Sequence, residues 1–210
     1  MLNRLGVLKN LISIGGACLC LISCTLAPTK TINTSHQQAL NQLHATKIAT
    51  LKQFNLKGRI AVNTEGKGYS GGLSWAHTPI TDQIAMFSPL GSKVSDITKS
   101  ETQVTLTTAD GKQFSAVDAE TLTENTLGWR LPLSGLTQWI IGLASHDSKN
   151  STITLDELGR ISNLQEDGWN IEYSQYNNIK GFDLPKKIYL RSAKVNLKLI
   201  VEEWTLVDAL

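Results

Sequence analysis

Cysteine is almost missing from this 210-residue chain, and its placement is informative. All three cysteines, Cys18, Cys20 and Cys24, fall in the first 24 residues, so the rest of the chain uses neither disulfides nor thiolate chemistry. An excess of charge is missing too. The formal charge of +2 comes from Arg4 and Lys9; beyond them, eighteen basic residues face eighteen acidic ones. Such a balance lacks the basic field that gathers phosphates, which argues against a nucleic-acid binder. The four histidines, His36, His44, His77 and His146, show no metal-ligand spacing, and all are expected at the surface. There is no Gly-rich phosphate loop, calcium loop, zinc pattern or Gly-x-Ser-x-Gly elbow. Two carboxylate pairs, Asp156/Glu157 and Glu202/Glu203, could in principle do acid–base work. Adjacent strand residues point to opposite faces, however, and a turn pair is solvated. The expectation is a non-enzymatic protein with no catalytic residue, no cofactor and no metal site.

The N-terminus is the first positive signal. Arg4 and Lys9 precede an apolar run from Leu11 to Ser23, the layout of a secretory signal. The run is well short of the roughly 20 apolar residues that a spanning helix needs. At its end, Leu21-Ile22-Ser23-Cys24 resembles the lipobox of bacterial lipoproteins, in which the Cys is acylated and becomes the new N-terminus. The competing reading is an ordinary signal peptide with Cys24 merely near the cut. On the first reading, residues 1–23 are a lipoprotein signal peptide, 24–34 a lipidated tether and 35–210 the folded domain. Two or more acyl chains anchor a protein firmly without any spanning helix. Thr25, where inner-membrane lipoproteins often have Asp, favours the outer membrane of a Gram-negative cell.

Periodicity then organises the remainder. Leu40, Leu43, Ile48 and Leu51 recur at helical intervals and predict a helix from about Ser35 to Gln53, its apolar stripe packed on the core. From Phe54 the period changes to two. Strands are predicted at 54–62, 69–75, 84–87, 93–99, 103–108, 113–117, 152–155, 160–165, 169–176, 186–191 and 195–206. Asp110-Gly111 is a hairpin signal. Asp118 and Ser134 can cap two short helices separated by the crossover Gly128-Trp129-Arg130-Leu131-Pro132-Leu133. In the last strand the apolar parity shifts across Glu202-Glu203, which predicts a bulge. About eleven antiparallel strands with about three helices predict a mostly-β fold, an open antiparallel β-barrel capped by helices that enclose an apolar cavity.

Two features remain without catalytic neighbours. The five tryptophans, Trp75, Trp129, Trp139, Trp169 and Trp204, all lie in the domain, and a curled sheet with incompletely packed helices leaves room for apolar ligands. Ser88-Pro89-Leu90-Gly91-Ser92 suits a type I turn with Leu90 at its tip. Leu90 either folds back on its own barrel or projects as an apolar finger; the residues weigh both equally.

Several motifs then coincide in order: Gly58-Arg59-Ile60-Ala61-Val62, Gly72-x-x-Trp75, Ser88-Pro89-Leu90-Gly91-Ser92, Asp118-Ala119-Glu120, Gly128-Trp129-x-Leu131-Pro132-Leu133, Leu136-x-x-Trp139-Ile140-x-Gly142 and Gly168-Trp169, with Pro185 before a strand and Trp204 near the end. Together with the lipobox, the set resembles the LolB family of outer-membrane lipoprotein receptors. The resemblance implies a LolA/LolB-like barrel that accepts triacylated lipoproteins from the periplasmic chaperone LolA and inserts them into the outer membrane, without nucleotide. It implies Cys24 as the lipidated anchor on the periplasmic face, and Pro89, Leu90 and Gly91 as the membrane-insertion loop. Its implied partners are a LolA-type chaperone, lipoprotein acyl chains and outer-membrane lipid, with no nucleic acid and a monomeric state. Strand alternation nominates Trp75, Met86, Leu106, Phe114, Trp139, Ile171, Tyr173, Ile188 and Leu197 as the acyl-chain cavity. The alternatives are a generic lipid- or hydrophobic-ligand-binding envelope lipoprotein, or a hydrolase of envelope lipid or glycan.

Overall fold

Strand alternation is the dominant signal in the sequence, and strands dominate the fold. The computed structural model describes residues 34–64, 67–127, 133–145, 148 and 150–207. Cys24, the expected signal peptide and the expected tether up to residue 33, the Gly128–Pro132 crossover with Trp129, and His146 lie outside the described residues.

Helix α1 spans Thr34–Ile48. Strands β1 (Phe54–Thr64), β2 (Lys67–His77), β3 (Asp82–Phe87), β4 (Lys93–Lys99), β5 (Val104–Thr108) and β6 (Gln113–Ala116) follow. Two helices interrupt them, α2 (Ala119–Leu127) and α3 (Leu133–Ile140). The chain returns through β7 (Ser151–Leu155), β8 (Ile161–Glu166), β9 (Trp169–Ile179), β10 (Phe182–Arg191) and β11 (Val195–Leu206). All eleven strands form one antiparallel sheet in the order β6-β5-β4-β3-β2-β1-β11-β10-β9-β8-β7. It is two meanders joined where β1 pairs with β11, from Phe54↔Leu206 to Thr64↔Val195. The sheet is not closed, since β6 and β7 end it without pairing to each other. This is the open, helix-bearing antiparallel barrel that the alternation predicts. Residues Ile32–Leu210 form one compact unit by themselves.

Local chemistry explains the joints. The predicted bulge is present: Lys57 pairs with Glu203 but Gly58 with Val201, which leaves Glu202 unpaired in that register. Gly58 is required there, because a Cβ would sit 2.2 Å from the Ile200 carbonyl oxygen. Asp118 caps α2 by accepting the Thr121 N–H at 2.6 Å. Helix α3 stops at Gly142, whose φ of +83° suits glycine. There the Gly142 and Leu143 N–H groups close back on the Trp139 and Gln138 carbonyls.

Two expectations need correction. Pro185 does not open β10 but lies inside it, beside a bulge at Pro185/Lys187. A proline has no N–H for the ladder, and strand interiors tolerate one at such an irregularity. Helix α1 ends at Ile48, five residues before the predicted end, and is not seated by one apolar stripe. Ile48 is fully buried and Leu40 half-buried, but Leu43 is 71% exposed. Polar side chains seat the helix instead: Gln37 and Asn41 donate to the Asp156 and Gly159 carbonyls, and His44 Nε2 bonds the Asp183 carbonyl.

Candidate functional site

The inward positions of the strands line up in continuous apolar rows. One crosses half the sheet as Leu56, Trp75, Ile84, Ile97, Leu106 and Phe114, each paired with the next. The other half carries Val62, Leu197, Leu190, Ile171, Leu164 and Ile153 in the same way. Most of these side chains are buried, but the two that end the rows are not. Phe114 on β6 is 42% exposed and Ile153 on β7 is 41% exposed, so the open margins of the sheet are apolar.

All nine side chains nominated for an acyl-chain cavity belong to this apolar side. Trp75, Leu106, Trp139, Ile171, Tyr173, Ile188 and Leu197 are buried in the core. Met86 is half-buried against them, and Phe114 stands at the margin. Helix α3 supplies Trp139 and buries Leu133, Leu136 and Ile140. Its C-terminal end is pinned to the sheet: the Tyr173 hydroxyl donates to the Trp139 carbonyl at 2.8 Å, and the Trp139 indole donates to Glu166 at 2.9 Å.

Glu166 is the residue that periodicity missed. It is only 2% exposed, yet it is a carboxylate at the end of β8. It accepts the Trp139 indole N–H and the Ser145 backbone N–H, which satisfy it within the core. Asp82 is a second buried carboxylate, bonded by Trp75 Nε1 at 2.9 Å and His77 Nδ1 at 2.7 Å, with Lys99 at 3.9 Å. These acids lie 7 and 27 residues along the chain from their tryptophans, so strand periodicity carries no sign of either pairing. His77 is therefore not a free surface residue as expected, since it packs on Phe54 and pairs with Asp82. His44 also departs from that expectation: it is half-buried, edge-on to Tyr176. His36 is exposed as expected.

Burial moves two tyrosines on the same side. It pushes the Tyr173 hydroxyl well above its ordinary pKa, with Tyr176 and Glu166 adding to the effect. It raises Tyr176 likewise, with Asp156 adding and Arg160 opposing. Both hydroxyls stay protonated and donate to carbonyls, Tyr176 to that of Ile161. They act as structural donors.

Backbone hydrogen bonds close the β3–β4 turn. Ser88 and Ser92 are joined by a backbone hydrogen bond, and the Gly91 N–H donates to the Ser88 carbonyl. Gly91 takes a φ of +86°. The outcome for Leu90, left open by the sequence, is projection: it is 95% exposed. Among the described residues no group of acids, histidines or cysteines could hold a metal ion, and no helix is long and apolar enough to cross a membrane. Asp156 is engaged by Arg160 and Glu202 by Arg59, and Glu203 meets Lys57 in solvent.

Comparison with known proteins agrees with this architecture. The model of the family described as outer membrane lipoprotein LolB matches residues 52–204. The outer-membrane lipoprotein LolB of Pseudomonas fluorescens is 34% identical over 163 residues, 78% of this chain and 79% of its own length. That of Stutzerimonas stutzeri is 31% identical over 203 residues, 95% of this chain and 97% of its own. Among solved structures, a putative outer membrane lipoprotein-sorting protein domain from Vibrio parahaemolyticus has a TM-score of 0.55 at 7% identity, with 85% of this chain and 95% of that one covered. A LolA superfamily protein from Nitrosomonas europaea has a TM-score of 0.50 at 8% identity, over 82% and 94% of the two chains. At such identities these two speak for the fold alone.

Proposed function

Since the chain belongs to the LolB family, we propose that it is an outer-membrane lipoprotein receptor that accepts triacylated lipoproteins from a LolA-type chaperone and inserts them into the outer membrane. The observation that carries this reading is Leu90, a large aliphatic side chain held out in solvent by a tight turn and, at 95% exposed, the most exposed large apolar side chain among the described residues. Exposing it has a standing cost in water, of the order of 1.5–3 kcal/mol relative to burial, and an apolar environment removes that cost. Pro89 and Gly91 fix the turn, and Leu90 is the part that enters lipid. Cys24 is the acylated anchor that keeps the monomeric chain on the periplasmic face of its target membrane.

The apolar rows under α2 and α3 are the acyl-chain site. Cargo chains cannot cross water exposed, at about 0.8 kcal/mol per methylene, so they pass from one apolar surface to the next. The nine nominated residues receive them as α3 shifts away from the sheet, beginning at the apolar margin marked by Phe114. Transfer is non-enzymatic and uses no nucleotide. Its direction comes from affinity, with a step of about 1.4 kcal/mol biasing the exchange tenfold.

Incubation of the purified protein with lipoprotein-loaded LolA, followed by separation of the two carriers, tests this reading. Cargo should move to this chain and then into added vesicles. Failure to take cargo, with retention of free fatty acid, would instead favour a generic lipid-binding lipoprotein.

A further inference from the structure

We propose that the outer face of the β10–β11 hairpin, with the groove running from it to the β3–β4 turn, docks on the phosphate headgroups of an anionic bilayer. This rests on the reading that Leu90 enters lipid, and adds the surface that holds the protein against that lipid.

The charge distribution is the starting point. Although the chain is nearly neutral, the stretch between Asp183 and Glu202 holds Lys186, Lys187, Arg191, Lys194 and Lys198 and no acidic residue. The fold gathers three of them. Ile188, Leu190, Leu197 and Leu199 are buried on the inner side, so Tyr189 and its cross-strand partner Lys198 face outward. The Lys187, Arg191 and Lys198 head groups then lie 5.4, 5.4 and 5.6 Å from the centroid of the Tyr189 ring. Three cations around one ring repel one another. Nearby acids relieve only part of this: Glu172 pairs with Arg191, and Glu202 with Arg59. Among the described residues Lys187 and Lys198 have no carboxylate partner. The patch is complementary to an anion, and a phosphate oxygen is the acceptor such a cluster holds well.

Continuity with Leu90 points to lipid as the source of that phosphate. A groove of about 740 Å³ on the outer face has Lys57, Arg59, Lys198 and Ile200 along one side and Phe87 and Pro89 along the other. Its floor is open because Gly72 has no side chain between Arg59 and Phe87 in the paired register. The turns after β3 and after β10 also lie at the same end of the sheet, the end where β1 finishes at Thr64 opposite Val195. Cations and an amphipathic tyrosine at one side of this groove, and the turn that projects Leu90 at the other, make the composition of a surface that sits at the headgroup boundary.

The folded unit Ile32–Leu210, which has no acyl anchor, makes the test direct. It is sedimented with vesicles of phosphatidylcholine alone, or of phosphatidylcholine with phosphatidylglycerol. The expected result is binding to the anionic vesicles that high salt reverses, and little binding to the neutral ones. The double variant Lys187→Gln/Lys198→Gln should lose about tenfold or more in partitioning, at roughly one kcal/mol for each cation near an anionic surface. Lys52→Gln, which removes a charge just before β1 at the far end of the sheet, should bind as the parent does. Equal binding to both vesicles, or an unchanged double variant, overturns the proposal. So does a double variant that binds vesicles normally but takes cargo poorly from loaded LolA, which would assign the patch to a protein partner. If Leu90→Glu inserts cargo normally while salt-reversible binding persists, the role of Leu90 fails and the docking surface stands.

Discussion

The carboxylate of Glu166 accepts the indole N–H of Trp139 at 2.9 Å, between strand β8 and helix α3, with almost no access to water. The same oxygen accepts the Ser145 backbone N–H at 2.9 Å, so one side chain ties both the last turn of the helix and the segment after it to the sheet. The C-terminal end of α3, the helix whose displacement the proposed function requires, is thus held by a small number of charge-assisted bonds.

Replacing Glu166 by Gln should loosen that end while the fold persists. Each hydrogen bond to a charged group contributes about 1.5–3 kcal/mol, and Gln retains one acceptor oxygen but turns an amide N–H₂ toward a donor. The expected loss is about 2 kcal/mol in urea unfolding, with faster hydrogen exchange confined to α3 and the residues after it. Uniform acceleration over the whole sheet would show that the contact does not act locally.

Stability should fall at alkaline pH because of Tyr173 and Tyr176. Both have folded-state pKa values raised above the unfolded value of about 10, chiefly by burial. Their contribution is fully present below pH about 10 and is lost as the pH climbs above it, where the unfolded chain ionises and the folded one does not. Urea midpoints measured from pH 8 upward should drop steeply past 10. Tyr173→Phe/Tyr176→Phe should be less stable at neutral pH, through loss of two hydrogen bonds, but show a flatter alkaline slope. An unaltered slope would exclude these tyrosines as the cause.

Leu90→Glu should leave the unfolding midpoint within about 0.5 kcal/mol of the parent, because the side chain touches almost nothing in the fold. Cargo uptake from LolA should remain largely normal, and insertion into vesicles should fail. Normal insertion would remove this role from the turn.

Gly58→Ala and Gly71→Ala should both destabilise by about 1–3 kcal/mol or more, as overpacking does. A Cβ at Gly58 would stand 2.2 Å from the Ile200 carbonyl oxygen; at Gly71 it would meet the Phe87 carbonyl. Thermal unfolding separates this from a helix-like preference for alanine, which would raise the midpoint.

Much of the architecture was legible along the chain. The limits of β4 and β11 coincide with the alternation, and the parity break at Glu202-Glu203 is the observed bulge. Asp118 caps its helix as its type suggests. These features depend on neighbours a few residues away, through the two-residue period of a strand and the local reach of a cap. Helix α1 was read less well, because its seat consists of hydrogen bonds from Gln37, Asn41 and His44 to carbonyls more than a hundred residues away.

Amino-acid order alone determined where the eleven strands fall, apart from the start of β10, which side of each strand is apolar, and where the β3–β4 turn falls. Only the tertiary structure decided that β1 pairs with β11, that Leu90 points away from the fold, that Glu166 and Asp82 find tryptophan partners inside it, and that Lys187, Arg191 and Lys198 surround one tyrosine. The physical reason is reach. A backbone period or a turn is set by adjacent residues, whereas the partner of a buried charge and the neighbour across a sheet exist only once distant strands have been brought into register.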